Sequence, residues 1–178
     1  MAPEPFTGST TPVEVTHHIL SVLVENKAGV LSRVAGLFSR RGFNIYSLAV
    51  APADESERFS RITIVVDAAS APIAQVVGQL NKLINVVEIR DMAPGEADER
   101  ELLLATVQAD EASRDSLLEH VGDAGASVID FSATAVTVSL AGTPSAIDAF
   151  EAFLVGHDHA VEIQRTGRVA LPRLNPSA

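Results

Sequence analysis

The sequence predicts an α+β fold of two ferredoxin-like β-α-β-β-α-β units in tandem, each with an antiparallel sheet and helices on one face. Two observations predict it. The same order of strand-period and helix-period apolar segments occurs twice along the chain. A break rich in Pro, Gly and acid, Ala93-Pro94-Gly95-Glu96-Ala97-Asp98, separates the two copies. With 178 residues in all, each unit is small enough that burial against another surface would stabilise it. The boundaries read as a flexible tail over 1–16, a first unit over 17–93, a linker over 94–99, a second unit over 100–171 and a tail over 172–178.

In the first unit, His18–Val24 is almost continuously apolar and reads as a strand. A turn, Glu25-Asn26-Lys27-Ala28-Gly29, leads into a helix whose Val30, Val34, Leu37 and Phe38 recur at helical spacing, stopped by Gly42. Asn44–Ala51 is a second strand, and Pro52 to Glu57 an acidic turn. Phe59–Asp67 alternates, with Ile62, Ile64 and Val66 on one face and Arg61, Thr63 and Val65 on the other. Ser70 and Pro72 open a helix with Ile73, Val76, Val77, Leu80, Leu83 and Ile84 as its stripe, and Val86–Met92 is the closing strand. In the second unit, Glu101–Gln108 is a strand. Ser113 is the N-cap of a helix carrying Leu117, Leu118 and Val121, ended by Gly125. Ser127–Phe131 and Ala135–Ala141 are strands, Thr143-Pro144 opens a helix with Ile147, Phe150 and Leu154 inward, and Val161–Arg165 is the last strand. Leu171 to Ala178, with Pro172 and Pro176, reads as irregular. Each sheet keeps one face without a helix from its own unit, and another domain or subunit is the expected cover.

Composition excludes several function classes. Lys+Arg is 13 against Asp+Glu 23, a net charge of −10, so nothing draws in a nucleic-acid backbone. One Tyr and no Trp leave no platform for stacking bases. The absence of Cys excludes disulfides, thiolate metal sites and a cysteine nucleophile. Apolar runs are far too short to span a membrane, and the opening MAPEPFTGSTTPVEVT has no basic residue and no apolar core of a signal, so the cytoplasm is expected. No nucleophile elbow, phosphate loop, dinucleotide fingerprint or zinc-protease motif is present.

The segment richest in chemistry is Asn26-Lys27-Ala28-Gly29-Val30. The first amides of a helix lack internal partners and carry partial positive charge, so a carboxylate can sit on them where Gly29 leaves room. The Asn26 amide oxygen can accept from an ammonium group. Together they could hold both ends of a free amino acid; a plain tight turn fits the same pattern. Asn44, just after Gly42-Phe43, is either a turn residue or a ligand contact supplied across a subunit boundary. Arg33, Arg40 and Arg41 share a helix face that is solvated or docks a partner. His157-Asp158-His159 has metal-ligand side chains but no evident third ligand. In the second unit the corresponding turn, Ala109-Asp110-Glu111-Ala112-Ser113, carries two acids that would repel a carboxylate, so no amino-acid site is expected there.

The run HILSVLVENKAGVLSRVAGLFSRRGFNIYSLAVAPAD, from His18 to Asp54, resembles the start of the acetolactate synthase small, regulatory subunit family. SRITIVVD and QLNKLINVVEI are similar to the rest of that family's N-terminal ACT domain; EREL, VIDFS, TVSLAG and TGRVAL extend the resemblance over nearly all of 17–171. Tyr46 departs from an acidic residue usual in the family, and Pro172 from a serine. The resemblance implies a non-catalytic subunit that raises the activity of a catalytic subunit and confers feedback inhibition by valine, or by leucine or isoleucine. Thiamine diphosphate, FAD and magnesium are expected in that catalytic partner, with no cofactor or metal in this chain. It also implies a homodimer through paired ACT domains, with the effector at their interface. The effector loop maps onto Asn26, Ala28, Gly29, Val30 and Leu31, and the second copy's contribution onto Asn44 and Ile45. A free-standing double-ACT amino-acid sensor of another protein is the alternative.

Overall fold

The computed structural model describes residues 17–67, 72–111, 113–156 and 160–175. Residues 1–16, Ser70, Ala112, Pro176 and the His157-Asp158-His159 run lie outside the described residues. The order is β1 (His17–Glu25), α1 (Val30–Arg41), β2 (Ile45–Pro52), β3 (Phe59–Asp67), α2 (Ile73–Leu80) and β4 (Val86–Met92). There follow β5 (Ala97–Gln108), α3 (Arg114–Asp123), β6 (Ser127–Phe131), β7 (Ala135–Gly142), α4 (Pro144–Gly156), β8 (Ala160–Arg165) and β9 (Val169–Pro172). The first sheet has strand order β2-β3-β1-β4 and the second β6-β7-β5-β8, all pairs antiparallel, with β9 joined to β5. Both units are ferredoxin-like, as the tandem pattern predicts. Among the described residues no helix is long and apolar enough to cross a membrane.

Alternation decides what each strand buries. Leu20, Val22 and Val24 of β1 and Ile62, Ile64 and Val66 of β3 pack under Val30, Val34, Leu37 and Phe38 of α1 and Val76 and Leu80 of α2. The second core repeats the scheme with Leu103, Ala105, Val107, Val136, Val138 and Leu140 under Leu117, Val121, Ile147, Phe150 and Leu154. Gly42 adopts φ 69°, and its N–H and that of Phe43 close the C-terminus of α1 on the Ser39 and Phe38 carbonyls.

The sequence reading departs from the structure where long-range pairing overrides local signals. β5 begins at Ala97, inside the stretch read as a linker, and Pro172 belongs to a strand rather than to an irregular tail. The cause is one ribbon: Ala97, Asp98, Glu99 and Arg100 pair with Pro172, Leu171, Ala170 and Val169. α2 ends at Leu80, so Ile84 is not on its stripe and is 90% exposed. Ser113 does not cap α3 with its hydroxyl; that group donates to Asp110 instead. Leu118 is partly exposed, and every residue of β6 is exposed.

The ribbon covers part of the helix-free face of the first sheet. Ile19, Val65, Met92 and Ala97 form a third buried cluster against Ala170. Beyond it the chain crosses back at Thr166-Gly167-Arg168. Gly167 has φ 79°, and a Cβ there would lie 2.8 Å from Ser47 Oγ, so only glycine fits. The Arg168 N–H donates to Ser47 Oγ at 2.9 Å, and its guanidinium lies 4.9 Å from the Tyr46 ring and donates to Glu99 at 3.2 Å. His17 packs on the other side of this contact, its ring 4.2 Å from that of Tyr46.

A second polar anchor sits where β5 changes partners. Arg165 donates through Nε and Nη2 to both carboxylate oxygens of the buried Glu101, and through Nη1 to Asp148 and Glu151 of α4. The bidentate geometry is the strong form of the pair. Removing one member of a buried pair typically costs 3–5 kcal/mol. Glu101→Ala is expected near the lower limit, about 3 kcal/mol, because two acids still face Arg165; urea unfolding measures it. Burial, and next the Arg168 charge, hold the His17 imidazole below its ordinary value of 6.5. The folded state then binds fewer protons than the unfolded chain, so this contribution is fully present above about pH 6.5 and is lost as pH falls through the lower folded value. Melting curves across that range should show a smaller acid-side loss in His17→Gln than in the wild type.

Candidate functional site

The loop that carries the chemistry leaves β1, an interior strand, and enters α1. Asn26 is held from both directions. Its backbone N–H donates to the Arg58 carbonyl at 2.8 Å, and its side-chain Nδ2 to the Glu57 carbonyl at 2.8 Å. With Nδ2 committed, Oδ1 is the atom of Asn26 left to face a ligand donor. The supporting turn is held by Asp54, whose carboxylate accepts from the Phe59 N–H at 3.1 Å and from the Ser56 hydroxyl. Those two bonds hold the Asp54 carboxyl below the usual aspartate value, the Ser56 bond contributing most. Glu57 sits at φ 52°, a strained conformation for a non-glycine residue, at the carbonyl that anchors Asn26.

Gly29 occupies the N-cap of α1 in the left-handed region, φ 82°. α1 has no side-chain cap and no acid in its first turn. The Val30 N–H donates to the Lys27 carbonyl at 3.2 Å and the Arg33 N–H to the Gly29 carbonyl at 3.0 Å. Between them, the Leu31 and Ser32 N–H groups have no acceptor among the described residues. These two donors, with the partial positive charge of the helix end, are where a carboxylate would sit. A Cβ at Gly29 would have no atom within 4 Å, so the approach is open. Beneath it, Lys27 and Asn85 both donate to Glu25, and Arg33 donates to Asn85 at 2.7 Å. The Asn85 amide, then Lys27, hold the Glu25 carboxyl below its ordinary value. This chain ties β1, α1 and the start of β4 into one support.

Of the residues singled out from sequence, Asn26, Ala28, Gly29 and Leu31 are exposed around this loop. Val30 is buried in the first core, and its N–H is taken by Lys27, so it acts as an anchor for the helix end. Asn44 is exposed and Ile45 half-buried against the first core, and they lie elsewhere. Ile45 pairs with Val66 and Pro52 with Ser60, while Glu25 pairs with Phe59. Asn44 and Ile45 are therefore at the opposite end of the sheet from Asn26, roughly 23 Å away over seven strand steps. One chain does not bring the two groups together. Arg33 and Arg41 are tied to Asn85 and Gln79, which leaves Arg40 as the outward cation of that helix face. Asp54, Glu57 and Asn85 are supporting residues that no local motif marks; only the pairing of β1 with β3 and β4 brings them to the loop.

The equivalent helix start in the second unit carries acids of its own. Asp110 Oδ1 accepts from the Ser113 N–H at 2.9 Å and the Ser113 hydroxyl at 2.6 Å. With Asp115 in the first turn, two acids stand at this helix start, where α1 has none, and they disfavour a further carboxylate.

Residues 20–88 match the family model described as AHAS small subunit-like ACT domain, and residues 100–174 that described as small subunit of acetolactate synthase. The chain is 45% identical over 156 residues to the acetolactate synthase small subunit of Mycolicibacterium smegmatis, covering 88% of this chain and 91% of that one. The chain belongs to the acetolactate synthase small-subunit family. It is 41% identical over 155 residues to the isozyme 3 small subunit of Escherichia coli, covering 87% and 94% of the two chains. The crystal structure of the small subunit from Thermotoga maritima superposes with a TM-score of 0.81 at 36% identity, covering 89% of this chain and 98% of that one. The small-subunit fold thus extends across both units.

Gly29 tests the loop without touching the core. With space around the Cβ, Gly29→Ala is expected to cost only the left-handed strain, about 1–2 kcal/mol. Gly29→Asn, which tolerates this conformation better, should recover part of the loss in the same denaturant titration.

Proposed function

We propose that this chain is the regulatory subunit of acetolactate synthase, binding the catalytic subunit, raising its activity and conferring inhibition by valine or a related branched-chain amino acid. Membership of the small-subunit family supports the assignment to that complex. The observation that supports an amino-acid effector is the uncapped start of α1, with its unpaired Leu31 and Ser32 N–H groups beside Asn26 Oδ1. One loop thus supplies donors for a carboxylate and an acceptor for an ammonium group, the two requirements of a zwitterion. The half-exposed Leu31 offers an apolar contact to a short aliphatic side chain. Asp110 argues against a second site in the same chain.

The working unit in this reading is a homodimer. β2 is an edge strand, and strands at an edge are templates for pairing. A second copy pairing its β2 antiparallel to this one would bring its Asn44 and Ile45 to the Pro52 end, where Asn26 stands. An open groove of about 1070 Å³ runs along the second half of β2 beside β9, and Val50, Val169 and Leu171 are exposed in it. Those side chains are apolar surface for the second copy to cover. Thiamine diphosphate, FAD and magnesium belong in this reading to the catalytic subunit, and this chain contributes no catalytic group. Inhibition is a population shift: valine binds the less active arrangement of the complex more tightly, by a coupling of about 1–3 kcal/mol.

Mixed dimers test the site and its division between chains together. Gly29→Asp places a carboxylate where the ligand's would lie, and Asn44→Ala removes the other chain's contact. Each alone should abolish valine inhibition of the reconstituted enzyme. Co-expression should restore one intact site per mixed dimer and with it partial inhibition; calorimetry should give one valine per chain in the wild type and about half a site per chain in the purified mixed dimer. Persistent inhibition in Gly29→Asp refutes the loop assignment. A wild-type chain that does not associate with the catalytic subunit favours a sensor of some other protein.

A further inference from the structure

We propose that Tyr46 and Arg168 are positioning residues that transmit effector occupancy from the start of β2 to the C-terminal unit. The inference rests on the functional reading above, since it assumes an effector held against Asn44 and Ile45.

The register of β2 against β3 carries it. Ile45 pairs with Val66 and Ser47 with Val65, so Tyr46 is the extra residue of a β-bulge. A bulge re-aims a side chain and bends the strand locally. Here it turns the Tyr46 ring onto the face opposite the helices, against His17 at 4.2 Å and the Arg168 guanidinium at 4.9 Å. Arg168 is only 6% exposed. It grips the same point of β2 twice more, through its N–H to Ser47 Oγ and through the Gly167 backbone packed over Leu48. Its Nη1 donates to Glu99 on β5.

These contacts bridge two bodies. On one side the bulge is the next residue after Ile45 and two after Asn44. On the other, Arg168 follows Arg165 by three residues, and Arg165 is fixed to Glu101, Asp148 and Glu151 in the second unit. β5 and β9 run from the same junction, so a shift at the bulge is passed to strands, not to a free loop. Among the described residues, Arg168 Nε and His17 Nε2 are buried there without a hydrogen-bond partner. The Arg–ring contact uses the face of the ring, so the phenol hydroxyl is dispensable to it.

The test uses the full chain, alone and in complex with its catalytic subunit. In the wild type, valine should slow amide hydrogen exchange over residues 165–171. Tyr46→Ala should still bind valine within about 2-fold of the wild-type affinity, yet lose that slowing and need at least about 5-fold more valine for half-inhibition. Tyr46→Phe should behave as the wild type, and Arg168→Met as Tyr46→Ala. A Tyr46→Ala chain that transmits like the wild type overturns the inference, as does one that no longer binds valine, which would make Tyr46 part of the site. If Tyr46→Ala does not fold, Arg168→Met decides by the same readouts; if neither folds, the contact is structural and the inference fails. A wild type that binds no valine overturns the functional reading and this inference with it, whereas wild-type binding with unaltered variants overturns this inference alone.

Discussion

A four-stranded sheet with helices on one side has a second side that must also be kept from water, and the arrangement of this chain follows from how that side is covered. Ile19, Val65 and Met92 project from it and are buried against Ala97 and Ala170. The covering piece is a two-stranded ribbon made from the beginning of β5 and the end of the chain, so the first unit is closed by strands whose continuation builds the second. The two halves share one small apolar cluster and the hydrogen bond from the Arg168 N–H to Ser47 Oγ. Small units of this size gain from such burial.

The same topology gives the first and the third helix comparable starts that differ in charge. Both follow a central strand, and both begin with exposed amides. At α1 the cap is a glycine without a side chain, and the neighbouring Asn26 is pulled aside onto the Glu57 carbonyl. At α3 the cap position is served by Asp110. One fold, used twice, begins this helix without an acid in one copy and with Asp110 and Asp115 in the other. Glu25, Asn85 and Arg33 form the rigid floor of the open copy, and they come from three separate elements.

Legibility in the sequence followed the range of the interactions involved. Alternation in Phe59–Asp67 and the stripe Val30, Val34, Leu37, Phe38 were readable because side-chain direction is a local consequence of backbone period. Gly42 as a helix stop and Gly29 as an open approach were readable because left-handed backbone favours glycine. Ala97–Arg100 and Val169–Pro172 were not, because linker-like composition and a proline are reliable only until a distant strand supplies partners. The stripe of α2 was overextended to Ile84 for a similar reason: apolar spacing continues past Leu80, but the backbone has already turned toward β4.

The sequence by itself determined the tandem α+β pattern, the absence of thiol chemistry, the acidic balance and the family, since each depends on residue identity or on spacing within one element. Tertiary structure alone decided that Asn44 and Ile45 stand a full strand's length from Asn26, that Asp54, Glu57 and Asn85 support the loop, and that Tyr46 meets Arg168 from the far end of the chain. Those facts come from strand register and from a bulge of one residue. Register is a property of two strands together, and no inspection of either one alone contains it.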